Sequence, residues 1–461
     1  CLHQLDQHQQ ARILSEQAHG LDPEAPAPLN LLGVLALDAG QVQEALGWLR
    51  SATERSPDNP RYLNNLAAAL QQADQSDAAI ELLQQALVLA PELSGIRLNL
   101  ARNLSHRGDI AAALSCLLEG LEREPTNADL LWNLSLIQLL RGDYAAGWLG
   151  YEARFSTSNP VQMIGNPAGR RWPGPIGDGS QERLPTLRLV AEQGLGDMIQ
   201  FARYLPLMRR YADRLEFCVP ASMAQLMRNS QLADRILTPE QIRDTPTPDW
   251  LPLLSVPRLL GVSPERPLVS EPYLGSDPER TAFWRQRLRT GEGILVGINW
   301  QGSPNKQGDS HLNHRALPLE ALAPIAQLAG IRLVSLQKGH GMEQRSLCSF
   351  ADRFVDDQEA IDDRLNFSEI AAVLACCDLV ISCDTVVPHL AAALGRPTWL
   401  LLCAHAEWRW GLAGEETHWY PSMRLFRQST MGAWQEPVQR LTGELAAWLE
   451  SQGPQRVGPP A

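Results

Sequence analysis

LVISCDTVVPHLAAALGRPTWLLLC, residues 379–403, decides the fold of the carboxyl-terminal half. A β-branched run at 379–382 meets Asp384 and Thr385, and an Ala/Leu-rich helix carrying His389 follows. Gly395 closes that helix, and 398–403 reads as the next strand. This is half of a doubly wound α/β unit with its polar residues at the strand's carboxyl end. Parallel sheets place ligands there because N–H groups of the following helix point outward. The segment predicts Thr385 as the helix cap, with the N–H groups of Val386 and Val387 left for an anion. Pro388 is tolerated within the first turn. Asp384 is too acidic to face a phosphate and is assigned to hydroxyls, as on a sugar, so the stretch reads as a nucleotide-sugar site.

Working outward, further strands are expected at 294–300, 332–337, 353–355 and 423–426, with a final amphipathic helix over 436–449. An earlier series has strands at 187–192, 215–220, 235–238 and 250–256, a turn at 193–196 and a helix from Asp197. Residues 261–290 read as a charged, proline-containing crossing. Strands separated by helices imply parallel sheets. Two Rossmann-like lobes with a ligand cleft between them follow.

The front of the chain obeys a different rule. Pro23, Pro57, Pro91 and Pro125 are spaced 34 residues apart. Ala11, Ala45, Ala79 and Ala113 share one phase, and Ala18, Ala52, Ala86 and Gly120 a second. Leu32-Gly33, Leu66-Ala67, Leu100-Ala101 and Leu134-Ser135 share a third. This is the tetratricopeptide pattern of paired antiparallel helices, with small residues where helices cross. The first repeat keeps only its second helix, so the amino end is expected to be truncated and any targeting segment lost with it. Asn65, Asn99 and Asn133 also recur at 34 on the inner face. They read either as an amide ladder for an extended peptide or as hydrogen bonds to the neighbouring repeat.

Composition narrows the classes. With 461 residues, the chain is long enough for about three domains. A formal net charge of −12 argues against broad contact with nucleic acid. No run approaches the roughly 18 apolar residues a transmembrane segment requires. Eight cysteines without a CxxC pair read as structural thiols. No GxxxxGK[ST] or HExxH occurs, which removes P-loop and zinc-hydrolase readings.

Three further constellations carry chemistry. In EQGLGD, 192–197, Gly194 and Gly196 allow close approach to the backbone, and Asp197 reads as a helix N-cap or as a general base. Gln301 and Gly302 turn the chain after the strand at 294–300, and Lys306 and Arg315 follow on a polar loop. Cations there suit a diphosphate leaving group, with solvated charges as the alternative. Lys338, in SLQKG, is a nucleotide contact or a solvated lysine. Trp408, Trp410, Trp419 and Tyr420 read as packing residues, with a stacking platform as the lesser alternative.

On EQGLGDMIQFARYLPLM, ISCDTVVPHLAAALGRPTWLLL and HWYPSMRLFRQ, the chain resembles the bacterial tetratricopeptide glycosyltransferases. Their catalytic part is similar to ADP-heptose:lipopolysaccharide heptosyltransferases of the GT-B fold, and the layout also resembles the protein O-linked N-acetylglucosamine transferases. The resemblance implies Asp197 as catalytic base and Asp384, Thr385 and His389 as the donor's sugar and diphosphate site. Arg315 replaces a phosphate-binding lysine. The implied architecture is an α-solenoid followed by an α/β GT-B fold of two Rossmann-like lobes. Its expected parts are a solenoid over 1–155, a linker over 156–185, an acceptor lobe over 186–290, a donor lobe over 291–450 and a tail over 451–461. The implied activity is metal-independent, inverting transfer from a nucleotide-diphosphate sugar, which is a substrate and not a cofactor, to a protein or glycan recruited by the repeats. The expected location is cytoplasmic, or at the inner face of the membrane. The alternatives are a heptosyltransferase acting on a lipid-linked glycan and a non-catalytic repeat scaffold.

Overall fold

A computed structural model of the chain describes residues 7–175, 183–243, 245, 248–302, 315–364 and 366–452. They form two compact units. The first holds, among the described residues, 7–139 and 150–159; the second holds those of 140–149, 160–303 and 314–452.

The amino-terminal helices are α1 (His8–Leu21), α2 (Pro26–Asp38), α3 (Val42–Arg55), α4 (Pro60–Gln72), α5 (Ser76–Leu89), α6 (Ser94–Arg107), α7 (Ile110–Arg123), α8 (Ala128–Leu140) and α9 (Tyr144–Tyr151). Each periodic proline stands two residues beyond α1, α3, α5 or α7. Ala45, Ala52, Ala79, Ala86 and Ala113 are fully buried at the helix crossings. A Cβ added at Gly33 would lie 2.4 Å from Leu49 Cγ, so this crossing admits no side chain. Buried faces of successive helices merge into one core running from Ala36 to Ile137, as a solenoid requires.

The second unit contains two parallel sheets. The first has strands β1 (Leu184–Val190), β2 (Ala212–Cys218), β3 (Arg235–Leu237) and β4 (Asp249–Pro252), in the order β3-β2-β1-β4. The second has β5 (Ile294–Asn299), β6 (Ile331–Ser335), β7 (Leu379–Cys383), β8 (Thr398–Leu402) and β9 (Met423–Arg427), in the order β6-β5-β7-β8-β9. Every ladder is parallel. All five residues of β7 are buried, as in a central strand covered on both faces. The strand order reverses between β1 and β4 and again between β5 and β7, and open α/β sheets hold ligands at such switch points.

The structure corrects three readings. Residues 261–290 are not a plain crossing, because Pro278–Leu288 is a helix. Asp277 caps it by accepting from the Arg280 N–H at 3.0 Å, and Pro278 occupies the first turn, where proline starts a helix. Residues 353–355 form no strand, only a bridge between Phe354 and Leu333. Arg353 instead donates to the carbonyls of Leu328 and Ile331. The strand expected over 250–256 stops at Pro252, where a short 3₁₀ turn, Leu253–Ser255, begins.

Part of the junction expected as a linker extends the first sheet. Arg171 bridges Trp250, with the Trp172 N–H donating to the Trp250 carbonyl at 2.8 Å. Among the described residues all seven cysteines are free, and six are buried. No described helix is long and apolar enough to cross a membrane.

Candidate active site

Helix α10 (Leu195–Ala202) follows β1, and helix α11 (Val386–Ala393) follows the carboxyl end of β7. Thr385 caps α11, as expected, and its Oγ1 accepts from the Val387 N–H at 3.3 Å. That bond alters one expectation. The Val387 N–H is consumed by the cap, and Pro388 has none to offer. Of the two amides assigned to an anion, only that of Val386 remains without a partner among the described residues.

Thr385 is itself held in place. Its hydroxyl donates to Asn299 Oδ1 at 2.7 Å, and Ser382 Oγ donates to the same oxygen at 3.2 Å. Asn299 Nδ2 donates to Gln337 Oε1 at 2.7 Å, and that oxygen also accepts from the Gln301 N–H at 3.0 Å. Gln337 Nε2 donates to the carbonyls of Gln301 and His340. One buried amide network therefore joins the carboxyl ends of β5, β6 and β7 at the switch point. Asn299 and Gln337 escaped the sequence reading, which weighed their charged neighbours instead. The available signal was an amide immediately after each apolar run, in INW and SLQ.

Gln301 thus contributes its backbone to the network. A Cβ at Gly302 would lie 3.0 Å from Arg315 Nη2, so the guanidinium covers this turn. Lys338 lies exposed on the loop after β6, while its neighbour Gln337 faces inward. Lys306 lies outside the described residues.

Asp384 is 8% exposed and accepts from Trp410 Nε1 at 2.9 Å. Loss of solvent raises its pKa; the charges of Arg409 and Arg315 and the Trp410 bond oppose the rise, and Asp197 adds to it. His389 is 3% exposed, and its Nδ1 hydrogen-bonds with the Tyr420 hydroxyl at 3.0 Å. Its ring stacks on Trp410, with centroids 5.2 Å apart. Burial, with Arg409 and Arg203 nearby, depresses its pKa well below the ordinary imidazole value, so the ring is neutral at pH 7. Trp408, Trp410, Trp419 and Tyr420 are all buried, which supports the packing reading.

Asp197 is not the N-cap of its helix. Gly194 holds that position, and Asp197 stands at the third residue of α10. From there its Oδ2 reaches back to accept from the Gly194 N–H at 3.1 Å. Its Oδ1 pairs with Arg409 Nη2. Arg409 Nε donates to Gln200 Oε1 at 2.9 Å, and the guanidinium also pairs with Glu407. Gly196 explains the close approach of α10 to α11, since a Cβ there would sit 3.0 Å from His389 Cδ2. Asp197, Arg409, Asp384 and His389 therefore form one cluster. Arg409 was not foreseen; its only signal was a lone arginine between two tryptophans after an apolar strand.

The asparagine ladder is divided. Asn65 Nδ2 donates to Asn30 Oδ1 and Asn99 Nδ2 to Asn64 Oδ1, each at 2.9 Å, joining neighbouring repeats. Asn133 donates to its own helix, at the Asp129 carbonyl, 2.8 Å away. The position that should receive it, one repeat back, is Leu98.

Comparison with known proteins places these features. Residues 320–430 match the model of glycosyltransferase family 9 (heptosyltransferase). Residues 2–70 and 70–136 match a tetratricopeptide repeat model. The chain is 27% identical over 329 residues to protein FlbA of Caulobacter vibrioides, covering 66% of this chain and 53% of FlbA, or about half its length. Among solved structures, YrrB, a TPR protein with an unusual peptide-binding site, is 19% identical, with 34% of this chain and 80% of YrrB covered and a TM-score of 0.29. TTC0263, a thermophilic TPR protein in Thermus thermophilus, is 20% identical, with 34% of this chain and 86% of TTC0263 covered and a TM-score of 0.31. The chain thus carries tetratricopeptide repeats in its amino-terminal part and a glycosyltransferase family 9 (heptosyltransferase) domain in its carboxyl-terminal part.

Proposed function

We propose that the chain is a nucleotide-sugar-dependent glycosyltransferase whose two parallel sheets are the lobes of a GT-B catalytic unit. The family 9 match over 320–430, which contains Asp384, Thr385, His389 and Arg409, carries this reading. In it the donor lies at the switch point of the second sheet. Asp384 receives sugar hydroxyls, and the Thr385 helix terminus and Arg315 meet the diphosphate. One backbone donor has been lost to the cap, so more of that charge falls to Arg315. Asp197 takes the proton from the acceptor hydroxyl as the bond from the anomeric carbon to the diphosphate breaks. Both its oxygens already accept one hydrogen bond, and each has a second lone pair for the acceptor. The step is a single displacement with inversion, and no metal takes part. The repeats recruit the acceptor, a protein in the leading reading.

The test uses the purified chain with UDP-, GDP- and ADP-sugars, reading hydrolysis and thermal unfolding. One nucleotide class should raise the melting temperature, by the equivalent of about 2.7 kcal/mol at a hundredfold excess over Kd. Asp197→Asn should lose transfer while keeping that shift. No hydrolysis and no shift with any nucleotide would leave a repeat scaffold as the better reading. The heptosyltransferase description favours, as a second reading, a heptose donor and a lipid-linked glycan acceptor, and ADP-heptose in the panel separates the two.

A further inference from the structure

Arg409 is the cation of the cluster, and it has no part in the catalytic steps above. It is 7% exposed, on the segment after β8, and it faces α10, which follows β1 of the other sheet. Asp197 and Gln200 are three residues apart on α10, so both side chains leave the same face. The planar guanidinium meets them together, with Nη2 on Asp197 and Nε on Gln200. Nη1 goes to Glu407. The Arg409 carbonyl accepts from Trp419 Nε1 at 2.9 Å, so the backbone below the side chain is fixed as well. Asp197 is thereby held from two sides, by the Gly194 N–H at one oxygen and by Arg409 at the other.

We propose that Arg409 is a positioning residue that fixes the rotamer of the Asp197 carboxylate and leaves its remaining lone pairs facing the acceptor hydroxyl. This rests on the functional reading above, in which Asp197 is the base. A guanidinium suits the task because its fork grips a carboxylate and an amide at once, whereas an ammonium is a single point of charge. Nothing transfers to or from Arg409; the proton goes from the acceptor to Asp197, and Arg409 acts on that transfer through the carboxylate.

The experiment is a double-mutant cycle on the full chain, reading hydrolysis or transfer with whichever UDP-, GDP- or ADP-sugar the wild type consumes. Arg409→Gln should lower kcat by about 100-fold, the scale of a misplaced general base, with KM for the donor changed less than about threefold. Arg409→Lys keeps the charge without the fork and should recover part of the loss, about tenfold. The residual rate of Asp197→Asn should fall no further when Arg409→Gln is added, because Arg409 acts on the proton transfer through Asp197. Thermal unfolding of each variant identifies any that fail to fold, and Arg409→Lys keeps the cycle readable if Arg409→Gln does. Multiplicative losses in the double variant, or a rise in KM in place of the fall in kcat, would overturn the proposal. A wild type that consumes no nucleotide sugar sinks the functional reading, and this inference with it. Failure of the cycle alone sinks only the inference.

Discussion

Burial shifts the pKa of two residues that contact the Trp410 indole, Asp384 and His389. Asp384 accepts a hydrogen bond from that indole, yet desolvation still leaves the carboxyl pKa raised. A group whose folded pKa is raised binds its proton more tightly when folded, so its charge at neutral pH works against stability. Asp384→Asn keeps an acceptor for Trp410 and removes that cost. The variant should be as stable as the wild type, or more so, in urea unfolding at pH 7. The advantage should fade as pH falls through the folded pKa, where the wild-type carboxyl becomes neutral. Its nucleotide-sugar-dependent thermal shift should be lost. A clear loss of stability at pH 7 would instead make Asp384 a structural residue. Gly196 answers to steric contact. His389 is held by Tyr420 and Trp410, so its ring cannot retreat from a methyl group 3.0 Å away. Gly196→Ala should therefore cost about 1–3 kcal/mol, as overpacking does, in the same unfolding experiment.

Among elements, the repeats were the most legible part of the chain, because a 34-residue spacing reports helix crossings directly. Phased alanines and prolines fix where helices touch and end; apart from the half-buried Ala18, each landed on a buried crossing or just past a helix. The strands of the second sheet were legible for a related reason: buried parallel strands are continuous apolar runs. The Pro278–Leu288 helix was not, since proline reads as a breaker until it is seen to follow a capping aspartate. In the candidate site, Asp384, Thr385 and His389 stood out because they interrupt such a run. The distant partners of Arg409, Asn299 and Gln337 lie 36 to 212 residues away, and no local pattern encodes those pairings. The asparagines show how far periodicity can be trusted. Asn99→Ala removes a bond between repeats and should cost about 1 kcal/mol. Asn133→Ala removes only a bond back to a helix carbonyl and should cost less. Leu98→Asn offers Asn133 the missing acceptor, so in that background the losses at 99 and 133 should become alike in urea unfolding; equal losses in the wild-type background would refute the distinction.

For the molecule as a whole, acid is the condition that most directly tests the buried cluster. His389 and His418 are both held neutral by desolvation, and burial takes His418 down to about 4. His418 also meets the Tyr144 hydroxyl through Nε2 at 3.1 Å, and its ring lies 4.4 Å from that of Trp419. A histidine with a depressed folded pKa binds its proton more tightly when unfolded. Its contribution is therefore complete above the unfolded pKa of about 6.5 and is lost as pH falls from there toward 4. Stability of the full chain should decline over that window, before carboxylate protonation dominates. His418→Gln can keep a hydrogen bond to Tyr144 without titrating. The unfolding free energy of the wild type, taken relative to the variant, should fall steadily from about pH 6.5 to about 4.5. Only part of the full linkage is expected to show, because His418 is only half-buried and water screens its charge. A difference that stays constant across the window would mean that His418 takes up its proton equally in the folded and unfolded chain, and that its contacts with Tyr144 and Trp419 do not exclude water.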